Sequence, residues 1–349
     1  MSTSSTDLFL SLTPEKVLEA VQRAGLSPKP VCYTLNSFEN RVYDVELEDD
    51  SRVVAKFYRP NRWAAAQILE EHEFLADLEA AEVPVCGVRP FPDGLTLKTN
   101  DDGIHYCVFH RKGGRAPDEL SDAMVSRLGM LAARMHIVGA SRQAKHRIAI
   151  QPKTYIYDNV DWLAENNVLP MAYRDRYMDA AFSIAEITES YFQDVHVQRI
   201  HGDLHKGNLV ERGGALHLLD FDDMVVGPPV QDLWLLLPDR DHNAVRQREV
   251  FIEAYEQFRA FDRSTLRLIE PLRAMRYIHY AAWLARRWHD PAFPATWPHF
   301  GTDEYWANET SDLEKQLAVI RDGDPQLTEP EQQVEKELTN KDFFWDWED

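Results

Sequence analysis

Residues 201–223 constrain this chain more than any other part of it. Two polar segments, HGDLHKGN and LLDFDD, lie on either side of short apolar runs that meet at Gly213 and Gly214. Paired glycines between two such runs predict a tight β-hairpin with strands over 208–211 and 215–219. Because a hairpin brings its two ends together, the polar segments at those ends are predicted to meet.

Two carboxylates and one carboxamide stand out within this stretch. Asp203 and Asn208 are five residues apart, and Asp220 follows Asp203 by 17 residues, at the end of an apolar strand. Phosphoryl transfer needs a group that orients an attacking hydroxyl and accepts its proton, and it needs oxygen ligands for magnesium. The order and spacing match the HRDxxxxN and DFG elements of protein kinases. They predict a site that transfers the γ-phosphate of ATP to a hydroxyl.

The two histidines of the stretch allow a different interpretation. His201, Asp203 and His205 alternate as metal ligands do in some hydrolases, and imidazole suits zinc. A metallohydrolase would need further ligands and would have no use for a lysine on a strand. We therefore prefer phosphoryl transfer, in which His201 orients the loop and His205 lines the site.

The sequence as a whole resembles a known group of kinases. HGDLHKGNLV followed by LLDFDD resembles the catalytic core of the aminoglycoside phosphotransferase and choline kinase superfamily, relatives of protein kinases. The segments SFENRVYDV, VVAKFYRPNRW and ILEEHEFL precede it in the order typical of the stress response kinase A family of bacterial serine/threonine kinases. These motifs cover residues 35–306. The resemblance implies an α+β, protein-kinase-like fold with a small antiparallel-sheet N-lobe and a large helical C-lobe.

The resemblance also implies roles for individual residues. Asp203 is expected to be the catalytic base, and Asn208 and Asp220 are expected to hold Mg²⁺, which makes Asp220 both a catalytic and a metal-binding residue. Lys56, in a VAK segment similar to the kinase VAIK pattern, is expected to hold the α- and β-phosphates of ATP. For Asp222 and Asp223, next to the metal aspartate, the resemblance leaves open whether they touch substrate or only solvate the loop; we expect them to solvate it.

Two further ATP-binding residues are predicted with less support from the motifs. Lys56 needs a carboxylate on the following helix; Glu71 is the candidate, and Glu70 and Glu73 stay open as alternatives. No GxGxxG precedes Lys56. The segment NSFEN takes the place of the phosphate-covering loop, and Ser37 is predicted to donate to a phosphate through its hydroxyl and neighbouring N–H groups.

Other polar and aromatic residues near these motifs are given structural roles. Asp232 is expected to cap a helix and to hold the catalytic loop through backbone N–H groups. His136 is expected to be a satisfied core or cap residue. The aromatic residues of 283–306 are expected to pack in the core.

Composition narrows the class of partners. With 38 basic and 58 acidic residues the net charge is −20, which argues against a general nucleic-acid binder. No apolar run is long enough for a membrane helix, and no signal peptide is visible, so a cytoplasmic location without membrane partners is expected. The three cysteines are scattered and predict no disulfide framework. A monomer is expected.

The predicted organisation is a lobe of residues 1–110 that binds ATP, a catalytic and substrate lobe of residues 111–326, and an acidic-aromatic tail of residues 327–349. Helices are predicted at Thr13 to Ala24 and Trp63 to Ala81, followed by mainly helical structure after Asp118. Strands are predicted at Arg41 to Leu47, Arg52 to Tyr58 and His105 to His110.

Three functions follow from these observations. The resemblance favours a serine/threonine protein kinase in a bacterial stress response, with ATP and a protein substrate as partners. The same core serves small-molecule kinases acting on an amino alcohol, an aminoglycoside or a sugar, because fold does not fix function. A nucleotide-binding pseudoenzyme scaffold is the third, and the intact Lys56, Asp203, Asn208 and Asp220 speak against it.

Overall fold

The computed structural model describes Phe9 and residues 11–322; the predicted tail of residues 327–349 lies outside them. Contacts within the chain define two compact units, each assembled from separate segments. We call them the sheet unit (Met1–Pro117, Ala144–Arg147 and Asn208–Asp222) and the helical unit (Asp118–Gln143, Ile148–Gly207 and Asp223–Asp349).

The sheet unit is built on a six-stranded antiparallel sheet, in the order β1-β2-β3-β6-β4 with β5 also paired to β6. The strands are β1 (Pro28–Leu35), β2 (Arg41–Leu47), β3 (Arg52–Phe57), β4 (Val88–Arg89), β5 (Lys98–Thr99) and β6 (His105–His110). Strands β2 and β3 lie where the alternation of the sequence predicts them, and β6 lies at the predicted buried strand. Strand β1 is not predicted. It carries two prolines, which an edge strand tolerates because one side makes no ladder bonds.

Two helices of the sheet unit pack against its strands. Helix α1 (Pro14–Arg23) begins at Thr13, whose side chain makes no capping bond, and packs Val17 and Val21 against the strands. The buried core there includes Val45, Ala55 and Phe57. Helix α2 (Ala65–Ala80) buries Ile68, Phe74, Leu75 and Leu78 together with the polar Glu71 and His72. A helix that buries two ionisable side chains is a candidate for function rather than for packing alone.

The predicted glycine-turned hairpin forms and belongs to the sheet unit. Strands β8 (Leu209–Arg212) and β9 (Ala215–Leu218) pair antiparallel, and both turn glycines have positive φ, +56° at Gly213 and +80° at Gly214. Such φ values suit glycine in a tight turn. Backbone bridges join the hairpin to the rest of the unit, between Val85 and Leu218 and between Arg115 and Glu211.

The helical unit is a set of packed helices with one short strand pair. A π-helical turn (Lys153–Tyr157) leads directly into the helix that begins at Asp158. Strands β7 (Gln198–Ile200) and β10 (Val225–Gly227) pair antiparallel, and the predicted catalytic loop, residues 201–208, follows β7 in sequence. The helices are α3 (Asp122–Ala140), α4 (Asp158–Glu165), α5 (Met171–Phe192), α6 (Val230–Leu236), α7 (His242–Tyr255), α8 (Ile269–Arg287), α9 (Ala292–Thr296) and α10 (Asp303–Asp322).

These two units confirm the predicted α+β class, with an antiparallel sheet towards the N-terminus and a mainly helical remainder. Of the aromatic residues expected in the core, Tyr305 and Trp306 are buried, whereas Trp283, Trp288 and Trp297 are half-buried and pack against other rings. Among the helices of the described residues, none is both long and apolar enough to cross a bilayer.

Close packing of α3 depends on its glycines, and this gives a test. A Cβ at Gly129 would lie 2.3 Å from the Phe251 carbonyl oxygen and 3.1 Å from Ala254 Cβ on α7. Gly129→Ala should therefore lower the free energy of unfolding by about 1–3 kcal/mol, although the same change in an exposed helix gains about 1 kcal/mol. Chemical denaturation measures the difference. An increase in stability would contradict this packing.

Candidate active site

The ammonium of Lys56 is buried at the centre of the sheet unit. Lys56 lies on β3, where it pairs with Val42 on one side and Cys107 on the other, and its side chain is only 6% exposed. The alternation of the strand turns Val53, Ala55 and Phe57 into the apolar core, so Lys56 faces away from that core. A charged group placed so deeply requires opposite charges around it.

Three carboxylates surround this ammonium. Lys56 Nζ lies 3.0 Å from Asp222 Oδ1, 3.2 Å from Asp220 Oδ1 and 3.5 Å from Glu71 Oε1. Of the three candidate glutamates on α2, the structure places Glu71 beside the lysine; Glu73 is exposed and Glu70 bonds the backbone elsewhere. The predicted set of Lys56, Glu71 and Asp220 is therefore brought together, with Asp222 added to it.

Two arginines complete the charge balance. Arg62 forms an ion pair with Asp222 Oδ2, and Arg147 Nη2 donates to Glu71 Oε2 over 3.1 Å. The cluster thus holds three cations against three carboxylates. Asp222 is only 3% exposed, so the expectation that it solvates its loop is wrong. The reason is that Lys56 and Arg62 both need its charge in a site from which water is excluded.

Each charge in the cluster shifts the others. Burial opposes ionisation of Asp222, but Arg62, Lys56 and Arg147 hold the pKa of that carboxyl below its usual range. Burial likewise lowers the pKa of Lys56, yet Asp222, Glu71 and Asp220 together raise it well above the ordinary value. The lysine therefore carries its positive charge, as a phosphate-binding group must. Burial raises the pKa of Glu71, with Lys56 opposing the shift.

Asn208 and Asp220 stand at the open end of the hairpin. The first residue pair of the ladder is Leu209 with Leu218, and the bond from Leu219 N to the Asn208 carbonyl, at 2.9 Å, extends that ladder by one step. Asp220 follows immediately with φ +50°, in the left-handed region, and its side chain is 54% exposed. A non-glycine residue held there stores strain, which is typical of functional sites.

These residues suit a magnesium ion. Mg²⁺ prefers oxygen ligands and is commonly held by one or two protein groups while substrate phosphates and waters supply the rest. The Asn208 amide and the exposed Asp220 carboxylate offer such oxygens. Within the described residues, no cluster of three or more His, Cys, Asp or Glu side chains is arranged as a metal site. The zinc alternative based on His201 and His205 therefore has no ligand set there.

The loop carrying Ser37 is held from behind by an arginine. Ser37 Oγ accepts a bond from Asn40 N at 3.2 Å, and the loop connects β1 to β2. The Arg59 guanidinium donates to the carbonyls of Phe38 and Glu39, both at 2.9 Å. The bond from Asn40 N uses a lone pair of the Ser37 hydroxyl oxygen, so the hydroxyl hydrogen is still available to donate. Sequence reasoning identified Ser37 but not Arg59.

Asp203 lies in the helical unit, beside an arginine and a histidine. Its Oδ1 is 2.9 Å from Arg276 Nη1 on α8, and its Oδ2 is 3.5 Å from His205 Nε2. Burial raises the pKa of Asp203, but Arg276 and His205 reverse that effect and hold it well below the usual range. The carboxylate is therefore ionised at neutral pH. No sequence signal identified Arg276, which is 73 residues from Asp203.

The backbone of the catalytic loop is held by Asp232. This buried carboxylate accepts bonds from His201 N at 3.1 Å and Gly202 N at 2.9 Å, as predicted, and pairs with His136 Nε2 at 2.9 Å. Gly202 has φ +85°, and a Cβ there would lie 2.4 Å from the Asp223 carbonyl oxygen, so only glycine fits. The predicted cap is wrong, because α6 begins after Pro229 and Asp232 lies within its first turn.

Comparison with known proteins places this chain. Residues 34–269 match the sequence profile of the phosphotransferase enzyme family. The chain belongs to the phosphotransferase enzyme family. Stress response kinase A of Escherichia coli strain K12 is 39% identical over 326 residues, which are 93% of this chain and 98% of that protein. A protein of Salmonella typhimurium strain LT2 named serine/threonine protein kinase RdoA is 37% identical over 321 residues, 92% of this chain and 97% of its own.

Solved structures share the fold of this phosphotransferase. An amicoumacin kinase in complex with AMP-PNP, Ca²⁺ and Ami superposes with a TM-score of 0.66 at 19% identity, over 87% of this chain and 92% of that one. A microcompartment-associated aminopropanol kinase gives the same TM-score and identity, over 87% and 95%. Such likeness establishes fold alone. The predicted kinase-like fold and the resemblance to stress response kinase A are confirmed.

The buried histidine of α2 gives a test of pH dependence. His72 Nε2 is 2.9 Å from the Tyr58 hydroxyl, and burial lowers the pKa of His72 from 6.5 to about 3. The unfolded chain binds this proton first, so His72 makes stability fall as pH drops from 6.5 towards 3, by about 2 kcal/mol between pH 7 and pH 5.

Denaturation curves at several pH values should show this slope flattened in His72→Gln, which keeps a polar partner for Tyr58. Wild-type and variant stabilities that change in parallel between pH 7 and pH 5 would contradict a neutral, buried His72.

Proposed function

We propose that this phosphotransferase is a protein kinase that moves the γ-phosphate of ATP to a serine or threonine hydroxyl. The observation that carries the proposal is the buried, charged Lys56, held by Glu71 and placed 3.2 Å from Asp220. A fixed ammonium beside an exposed carboxylate is the combination that binds phosphates together with their metal. Because a buried charge costs stability, we take this arrangement as support for a binding site rather than for packing alone.

The residues divide the work as follows. Lys56 binds the α- and β-phosphates, and Glu71 keeps its ammonium in place. Asn208 and Asp220 would hold Mg²⁺, which would supply positive charge to neutralise the charge that develops on the phosphates. Ser37 donates to a phosphate oxygen from the loop that Arg59 fixes. These groups contribute positioning and charge, which is most of what phosphoryl transfer requires.

Asp203 accepts the proton of the attacking hydroxyl. The Asp203 carboxylate is ionised. The bonds that the loop backbone donates to Asp232 fix the position of Asp203 in the helical unit. A base with so low a pKa does not remove the proton in advance; it orients the hydroxyl and takes the proton as the bond to phosphorus forms. That timing suits a loose transition state, in which the nucleophile gains little charge before transfer.

Sequence similarity supports a protein as the acceptor. Relatives that match nearly the whole chain at 37–39% identity are named stress response kinase A, and one is named a serine/threonine protein kinase. The structural relatives named for small acceptors, amicoumacin and aminopropanol, are 19% identical. We therefore assign the protein acceptor to this chain and make the small-molecule acceptor an outcome of the test.

The acceptor is tested by direct transfer. The purified protein is incubated with labelled ATP and Mg²⁺ alone, with myelin basic protein, and with a panel of amino alcohols, aminoglycosides and sugars. Label on protein is the expected result. Label on a small molecule only would make the chain a small-molecule kinase, and nucleotide binding without any transfer would make it a scaffold.

Substitution should separate the two aspartates. Asp203→Asn is expected to lower kcat by about 10²–10⁴-fold while leaving the affinity for Mg·ATP nearly unchanged, because the base acts only on the acceptor. Single-turnover transfer and nucleotide titration measure the two quantities. Asp194→Asn is the matched control, since Asp194 is exposed in the helical unit and its φ of +63° suits asparagine. Full transfer by Asp203→Asn would refute the assignment of the base.

Asp220→Asn should instead weaken the part of ATP affinity that depends on Mg²⁺, because a metal ligand loses its charge. Titration of a nucleotide with and without Mg²⁺ checks this. Asp50→Asn in the sheet unit is the control, because Asp50 is also exposed and has φ +63°. Equal magnesium dependence in Asp220→Asn and wild type would argue against Asp220 as a ligand.

A further inference from the structure

A short segment that is distant in sequence from helix α2 forms hydrogen bonds with that helix. Residues Ala144–Arg147 belong to the sheet unit although the chain on both sides of them belongs to the helical unit. The Glu70 carboxylate accepts bonds from three successive backbone N–H groups of this segment: from Lys145, from His146 at 2.9 Å and from Arg147 at 2.8 Å. We call Ala144–Arg147 the latch.

The latch grips the helix in return. Arg147 is fully buried, and its Nε donates to the Gln67 carbonyl at 2.8 Å while Nη2 donates to Glu71 Oε2 at 3.1 Å. Its Nη1 donates to the Asp222 carbonyl at 2.5 Å, and the guanidinium lies 4.5 Å from the centre of the Trp63 ring. One side chain thus joins α2 to the residue that also pairs with Lys56.

Neither half of this arrangement is needed to pack the helix. Helix α2 already buries Ile68, Phe74 and Leu75, so an apolar face holds it on the unit. What the apolar face does not fix is the rotation and axial position that bring the Glu71 carboxylate to Lys56. A carboxylate bonded to three N–H groups and a guanidinium with three acceptors fix both, because charge-assisted hydrogen bonds are short and directional.

We propose that the latch is a positioning element for the ATP site: it locks α2 in the register that keeps Glu71 against Lys56. Glu70 and Arg147 are its two positioning residues. This inference rests on the proposed function, since it assigns the latch to the binding of ATP phosphates by Lys56. Consequently hydrogen bonds within the chain itself hold α2 where Glu71 contacts Lys56.

Loosening Glu70 tests the inference without touching Lys56 or its carboxylates. Glu70→Gln keeps the shape of the side chain but replaces an acceptor oxygen with a donor that faces backbone N–H groups. We expect the KM for ATP to rise about tenfold, because charge-assisted bonds are lost, with the KM for the protein acceptor unchanged. Hydrogen exchange should become faster in α2. Glu73→Gln, an exposed change on the same helix, is the control and should match wild type.

A second background separates positioning from general stability. The Lys56→Arg variant keeps a buried cation. In this background, Glu70→Gln should change the affinity for AMP-PNP with Mg²⁺ less than twofold, because the contact of Glu71 with Lys56 is already altered. The effects of two substitutions that act on one contact are not additive. Arg147→Lys also keeps the charge but loses the fork of donors. It should raise the KM for ATP in the same way as Glu70→Gln.

The outcomes are distinct. If wild type binds no Mg·AMP-PNP, the proposed function and the latch both fail. If wild type binds it and Glu70→Gln has the same KM for ATP, or loses only active fraction through kcat, the latch is structural and the proposal is overturned. A tenfold effect that persists in Lys56→Arg would overturn it as well, because the latch would then act on another group.

Discussion

A positive charge buried on a central strand governs the sheet unit. Removing the Lys56 ammonium from water is costly, and only close carboxylates with further bonds of their own offset that cost. The carboxylates of Asp222 and Glu71 neutralise the charge of Lys56. These carboxylates are in turn paired with Arg62 and Arg147. Each added group is therefore a consequence of the first. The result is a cluster of opposite charges in which the exposed carboxylate is that of Asp220.

The catalytic loop of the helical unit is stabilised by the opposite arrangement. There the buried carboxylate of Asp232 is hydrogen-bonded to backbone N–H groups and to His136 rather than to lysine or arginine. Such bonds fix the path of the chain and leave the side chain of Asp203 to its own partners, Arg276 and His205. The sheet unit thus fixes the charge of a side chain, that of Lys56, and the helical unit fixes the backbone at His201 and Gly202.

Local patterns carried most of what could be predicted from the sequence. Alternation identified β2 and β3, an apolar run identified β6, and paired glycines identified the hairpin, because all three are rules about neighbours in the chain. The motif spacing singled out Lys56, Asp203, Asn208 and Asp220, whose roles remain predictions. Arg147 and Arg276 could not be predicted, since they lie more than 70 residues from their partners and stand in no motif. Asp222 was misjudged because exposure, unlike spacing, depends on what folds over a residue.

The segmented make-up of the sheet unit also bears on how the chain folds during synthesis. The backbone bridges from Val85 to Leu218 and from Arg115 to Glu211 join strands that leave the ribosome far apart in time. While α3, α4 and α5 are being made, the N-terminal sheet has Glu71 beside Lys56 but still lacks Asp220 and Asp222. Domains usually fold as units in order of synthesis. Here the first unit to emerge is the one that cannot be completed until residue 222 has been added.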